Sequence, residues 1–247
     1  METQERVDKQ LLMYETITPL TVDKHKAWSV SEHKDYDFAS DLRFVPILAS
    51  ELSVACAEYP IVFVEAKGQA PMPIAILSLD ESNRFVGGEG QWEGSYIPAF
   101  IRRYPYAFSK EAGGDTYFLC IDETSRCISV EGASGERIFD DNGEQTAYTQ
   151  RIVEFLSAYQ MEHAKTEKLG QRLKEMNLLE IRQISKNRDI EGELKQEVIL
   201  NGVQTADKSR LDTLTDEKLI EIVRDGTYEL ICYHWRSLSN LNSARFG

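Results

Sequence analysis

Long apolar runs are missing from this chain. Across 247 residues no window approaches the roughly 18 apolar residues that a membrane helix needs, and the most apolar stretches, such as Pro73 to Leu79, have the length of a strand. Insertion into a bilayer is therefore not expected. Positive charge is also short, with 28 Lys plus Arg against 41 Asp plus Glu and a formal net charge of -13. A field of that sign repels polyphosphate at long range, so nucleic acid is not expected as a partner. The four cysteines, Cys56, Cys120, Cys127 and Cys232, contain no C-x-x-C pair, and the four histidines, His25, His33, His163 and His234, contain no H-x-x-x-H spacing. That argues for buried free thiols and against a structural zinc site. No G-x-S-x-G nucleophile elbow occurs, and Gly87-Gly88-x-Gly90 is not a G-x-G-x-x-G turn between strand and helix. The opening METQERVDKQ is charged from its second residue and carries no apolar signal core, which reads as a cytoplasmic protein.

What is present describes a globular chain: 42% hydrophobic, 10% aromatic and 28% charged residues, enough to bury a core without disulfide or metal staples. The first 45 residues alternate short apolar and polar runs, as in Leu20-Thr21-Val22 and Trp28-Ser29-Val30, and predict extended segments. Between Pro46 and Tyr59, Leu48, Leu52, Ala55 and Cys56 fall at helical spacing, with Pro60 as the stop. Ile61 to Val64 and Ile74 to Leu79 then predict a hairpin across the turn residues 68 to 71. Pro98 sits where a short helix begins, and Pro105 ends it, delivering Arg102, Arg103 and Tyr104 into a strand. Asp115 to Asp122 is apolar on both faces and predicts a central strand, and Cys127 to Val130 another extended piece.

After the turn residues Asp140-Asp141-Asn142-Gly143, Ile152, Leu156, Tyr159 and His163, then Leu169, Leu173 and Met176, keep helical spacing over 147 to 177, with Gly170 as a weak point. Residues 178 to 207 return to alternation and carry Asn201-Gly202 as a hairpin-turn signal. At the end, Thr213 and Asp216 are spaced as a capping box, Leu219, Ile220, Ile222 and Val223 form the inward face of a helix, and Gly226 separates it from Tyr228 to Leu241. The expected fold class is α+β: a β-rich lobe with short helices over 1–146, then a mainly helical part with a small β-hairpin over 147–247, packed on the first as one unit.

Three groups of residues suit chemistry, and each also suits structure. Asp122 with Glu123, and Asp140 with Asp141, are paired acids able to hold a divalent cation or move protons; Asp and Asn in such a turn also bond their own backbone. Arg102 and Arg103 are adjacent cations in an acidic chain, fit to clamp a carboxylate or phosphate, or to pair internally. Trp92, Tyr96, Phe100, Tyr104, Tyr106 and Phe108, interleaved with the glycines at 87, 88, 90 and 94, suit a pocket wall as well as a core.

The ordered set FVPILASELSVACAEYPIVFV at 44–64, Pro73-Ile74-Ala75-Ile76-Leu77, Tyr96-Ile97-Pro98 with Arg102-Arg103-Tyr104-Pro105, Cys120-Ile121-Asp122, Ile138 to Glu144, and the tail Leu230 to His234 with Ser237 to Leu241 resembles the bacterial SapC family over nearly the whole chain. The resemblance extends less well through Val86 to Gly94 and Leu194 to Ala206. It implies an association with a surface layer, or an accessory role beside outer-membrane receptors and tailoring oxygenases or halogenases, and it offers no catalytic residues to transfer. A peptide-transporter permease shares the short name but needs membrane helices that this sequence lacks.

Two function classes follow. The favoured one is a non-enzymatic accessory or binding protein for a peptide, glycan or protein partner, with Trp92, Tyr96, Arg102, Arg103 and Tyr104 as the ligand-binding residues, no catalytic or metal residues and no cofactor. The other is an enzyme of unknown substrate that uses the paired acids, with a divalent metal. Oligomeric state is not legible.

Overall fold

The computed structural model of the chain describes residues 13–32, 35–110, 117–190 and 193–246. Residues 115 and 116, His33 and the opening segment read above lie outside the described residues. The architecture is α+β, with a β-rich N-terminal half and helices toward the C-terminus. Two compact units form, and the chain passes between them repeatedly: one takes the described residues of 1–42 together with 86–92 and 100–160, the other 43–85, 93–99 and those from 161 onward.

The first unit holds two three-stranded antiparallel sheets. In one, β1 (Ile17–Pro19) and β6 (Tyr106–Lys110) flank β7 (Tyr117–Asp122), which is central, as its two-faced apolarity predicts. In the other, β2 (Ser29–Val30) lies between β8 (Ile128–Ser129) and β9 (Glu136–Arg137). Between β1 and β2 the chain makes one helical turn, α1 (Val22–His25), where an extended segment is expected from sequence; the His25 imidazole returns to the Thr21 N–H at 3.0 Å and closes the turn. Val30, Tyr106, Ile121, Ile138, Phe139 and Leu156 form the core. Leu156 comes from α4 (Ala147–Glu175), the long helix anticipated over 147 to 177.

The second unit is built on a five-stranded sheet in the order β10 (Leu179–Ile190), β11 (Glu193–Ala206), β4 (Ile61–Val64), β5 (Met72–Ile76), β3 (Phe44–Pro46). β4 and β5 pair as the expected hairpin, Ile61 opposite Ala75. Pro46 belongs to a strand and not to a helix start, because Val45 and Pro46 pair with Ala75 and Ile74; the helical stretch begins only at the 3₁₀ turn Ala49–Glu51 and continues as α2 (Leu52–Ala55).

Asn201-Gly202 is not the turn of a hairpin but lies within β11, where Asn201 pairs with Gln183 of β10. Gly202 is a bulge: Arg182 pairs with Val203 and Gln183 with Asn201, so one residue of β11 has no partner, and Gly202 takes φ +76°, which suits glycine. After α5 (Lys208–Leu211), the cap of α6 (Asp216–Arg224) is Thr215, whose hydroxyl accepts the Lys218 N–H; the Thr213 hydroxyl instead donates to the Arg210 carbonyl. On α6 only Ile222 is buried; Leu219, Ile220 and Val223 are exposed, which corrects the inward face read from spacing. Gly226, at φ +83°, separates α6 from α7 (Thr227–Leu238). All four cysteines are free, Cys56 and Cys120 buried, Cys127 and Cys232 half-buried. Among the described residues no helix is long and apolar enough to cross a membrane.

Candidate ligand-binding site

The helix α3 (Ala99–Arg102) ends where Pro105 follows, with a cis peptide bond between Tyr104 and Pro105, and β6 starts one residue later. That short passage turns Arg102, Arg103 and Tyr104 along one wall of a cavity of about 520 Å³ in the first unit. Arg102 is exposed and lays its guanidinium over the Phe155 ring, 5.5 Å from the centroid. Arg103 is half-buried, its guanidinium packed on Phe100 at 4.3 Å, Tyr159 at 5.3 Å and Tyr14 at 5.8 Å. Such stacking uses the faces of the guanidinium, while its N–H donors lie in the plane.

Tyr104 is buried. Its ring stacks on Phe38 at 4.0 Å and 15°, and burial pushes its phenol up to about 12, so it remains protonated and a donor at neutral pH. It belongs to the walls of two cavities; the second, of about 510 Å³, carries the carboxylates of Glu15, Asp35 and Asp41.

Trp92 is half-buried and stands behind the first cavity: its ring meets the edge of Tyr36 at 5.6 Å, and Tyr36 lines the cavity. The glycine-rich loop explains that placement. Gly90 takes φ +78°, and a Cβ there would lie 2.8 Å from the Asp35 Cβ and 2.9 Å from the Asp37 Oδ1, so only glycine lets the loop close on the segment that bears Tyr36. The Tyr36 N–H donates to the Gly90 carbonyl at 2.7 Å and fixes the contact.

Tyr96 falls in the second unit. Its hydroxyl donates to the buried carboxylate of Glu51 at 2.6 Å, which also accepts the N–H groups of Leu48 and Ala99. Arg102, Arg103 and Tyr104 thus share one cavity with Trp92 behind them, and Tyr96 serves a separate network. The remaining aromatic wall, Tyr36, Tyr148 and Phe155, was not picked out from sequence. For Tyr148 and Phe155 a signal existed, since with Ile152 they sit at i, i+4 and i+7 of the long helix; for Tyr36 there was none.

The paired acids are occupied by their own chain. Asp122 is fully buried and accepts the N–H groups of Glu15 at 2.9 Å, Thr16 at 3.0 Å and Thr124 at 3.1 Å, together with the Thr124 hydroxyl at 2.8 Å. Glu123 is paired with Lys24 and bonded by the Thr18 hydroxyl and His25, which holds its carboxyl down at about 2. Asp140 accepts the N–H groups of Asn142 and Glu144 within its turn, and Arg137 beside Asp141 keeps that carboxyl below the usual range. Among the described residues no three His, Cys, Asp or Glu side chains are grouped to hold a metal ion.

An α+β architecture with an arginine- and aromatic-lined cavity defines a class only broadly. The SapC family model matches residues 20–243, and the chain belongs to the SapC family. No curated protein and no solved structure matches it.

Proposed function

We propose that this SapC-family protein is a binding protein that acts by holding a partner and not by catalysis, with the cavity at Arg102, Arg103 and Tyr104 as its recognition site. The observation that carries this reading is the joining, in one cavity, of two adjacent guanidiniums with the rings of Tyr36, Tyr148 and Phe155. Arginine and tyrosine are enriched among the few residues that dominate binding energy at interfaces, because they offer planar area together with directed donors. The commitment of Asp122, Glu123 and Asp140 to backbone and ion-pair partners supports binding over acid–base chemistry. The partner is a peptide, glycan or protein with an anionic group, and nucleic acid is disfavoured by the net charge of -13. An accessory role beside surface-layer or outer-membrane uptake systems fits such a site.

The test is capture of partners on immobilised wild type and on Arg102→Glu. Arg102 is exposed but packs on Phe155, so near-ultraviolet circular dichroism and the melting temperature are measured first and a variant that folds is the one used. Loss of the captured partner by about tenfold or more is expected, the scale of a charge-assisted contact turned repulsive. Retention of the same partner by the folded variant refutes the site.

A further inference from the structure

We infer that the group seated in the Arg102–Tyr104 cavity is a flat aromatic ring bearing a single carboxylate, an inference that rests on the binding reading above. Three features of the cavity separate this chemistry from its competitors. Its size, about 520 Å³, lies within the range of small-molecule sites and admits one or two rings. Its walls are rings and branched aliphatics, with Val30, Ile101 and Ile152 beside Tyr36, Tyr148 and Phe155. A planar apolar body gains most from such walls through offset and edge contacts.

A sugar fits them badly. Each buried ring hydroxyl of a pyranose needs a hydrogen-bond partner, whereas this cavity offers a single buried hydroxyl without one, that of Tyr106 among the described residues. Tyr104 bonds Ser125 and Asp122, and Ser31 lies 3.4 Å from the Ser134 hydroxyl.

Charge limits the ligand further. Arg102 and Arg103 share the lining of the cavity with Glu32 and Glu136, and Glu136 is paired with Arg151 at 2.9 Å. Glu32 and Arg102 act on the Tyr36 phenol with opposite sign, which places both near it: burial raises that phenol first, Glu32 raises it further, and Arg102 lowers it. With Glu136 spent on Arg151, the lining sets Arg102 and Arg103 against Glu32, a surplus of one positive charge that matches one carboxylate in the fork of a guanidinium and not a phosphate dianion or a polyanion. The shared chemistry has two sources: a free aromatic acid, or the C-terminal aromatic residue of a peptide.

Calorimetry on the full chain with 3-phenylpropionate, its neutral amide, glucuronate and phenyl phosphate tests the inference. The acid is expected to bind about tenfold or more tightly than each of the other three, the scale of one charge-assisted pair. Arg102→Gln should reduce the acid to the level of the amide and leave the amide unchanged. An acid no tighter than its amide, glucuronate binding equally well, or insensitivity to Arg102→Gln overturns it. A second arm compares N-acetyl-Gly-Gly-Phe as free acid and as C-terminal amide: tighter binding of the peptide acid than of 3-phenylpropionate assigns the source to a chain terminus, and the reverse order to a free acid. Failure here is distinguishable from failure of the binding reading, because a partner lost by Arg102→Glu yet not displaced by 3-phenylpropionate leaves the recognition site standing and removes only this ligand class.

Discussion

His234 of α7 is fully buried, with its Nε2 accepting the Ala206 N–H at 3.1 Å and its ring 5.1 Å from that of Phe63. Burial pushes its pKa from 6.5 down to about 4. The unfolded chain therefore takes up a proton near pH 6.5 that the folded chain refuses until about pH 4, so folding stability is complete above pH 7 and falls as pH drops through that window. By pH 5 the loss is about 2 kcal/mol, read as a lower urea midpoint than at pH 7.5. Glu123, held near 2 chiefly by Lys24, withdraws its support only below the ordinary carboxylate range, so the two effects separate. His234→Gln, which keeps an acceptor for Ala206, should flatten the difference between pH 7.5 and 5; an unchanged difference would assign it to another group. Nothing in the sequence around position 234 announces this, because a histidine on a helix is buried or exposed according to what packs over it. The adjacency of Arg102, Arg103 and Tyr104 was legible, by contrast, since neighbours in sequence are neighbours in space.

The long helix α4 sets two effects against each other at Gly170. Alanine there gains helix propensity by about 1 kcal/mol. A Cβ at 170, however, would lie 1.7 Å from the Pro71 carbonyl oxygen and 2.8 Å from its carbon, a backbone contact with no flexible end to yield. Overpacking wins, and Gly170→Ala is expected to lose about 2 kcal/mol or more, seen as a drop in melting temperature. A rise would show that the helix and the 68–71 turn do not approach so closely. From sequence this glycine is only a flaw in a periodic pattern. Asn201-Gly202 misleads for a related reason: a glycine at positive φ serves a two-residue turn and a bulge equally well, and only the pairing partners at Arg182 and Gln183 decide between them. Similarly, the apolar side of α6 shows amphipathicity in sequence but not what covers it, and Leu219, Ile220 and Val223 are exposed.

The whole molecule carries a charge of -13, and its ion pairs, such as Arg172 with Glu221 at 2.8 Å and Asp225 at 2.7 Å, are partly exposed. Exposed pairs contribute little each, whereas the uncompensated carboxylates repel throughout. Screening should therefore stabilise: raising sodium chloride from about 50 to 500 mM is expected to increase the melting temperature by a few degrees as the Debye length shrinks. A decrease would mean that the paired charges outweigh the repulsion.

Composition and periodicity determined the α+β class, the strand β7, the β4–β5 hairpin, the span of α4 and the arginine–tyrosine passage, because each depends on which face of a local element is apolar or on where proline and glycine interrupt it. Tertiary structure alone decided that the chain weaves between two units, that Tyr96 serves Glu51 while Tyr36 and Phe155 join Arg102, and that the paired acids are spent on backbone donors. Those outcomes depend on contacts between residues tens of positions apart, whose proximity is set by the packing of whole elements and leaves no local pattern in the chain.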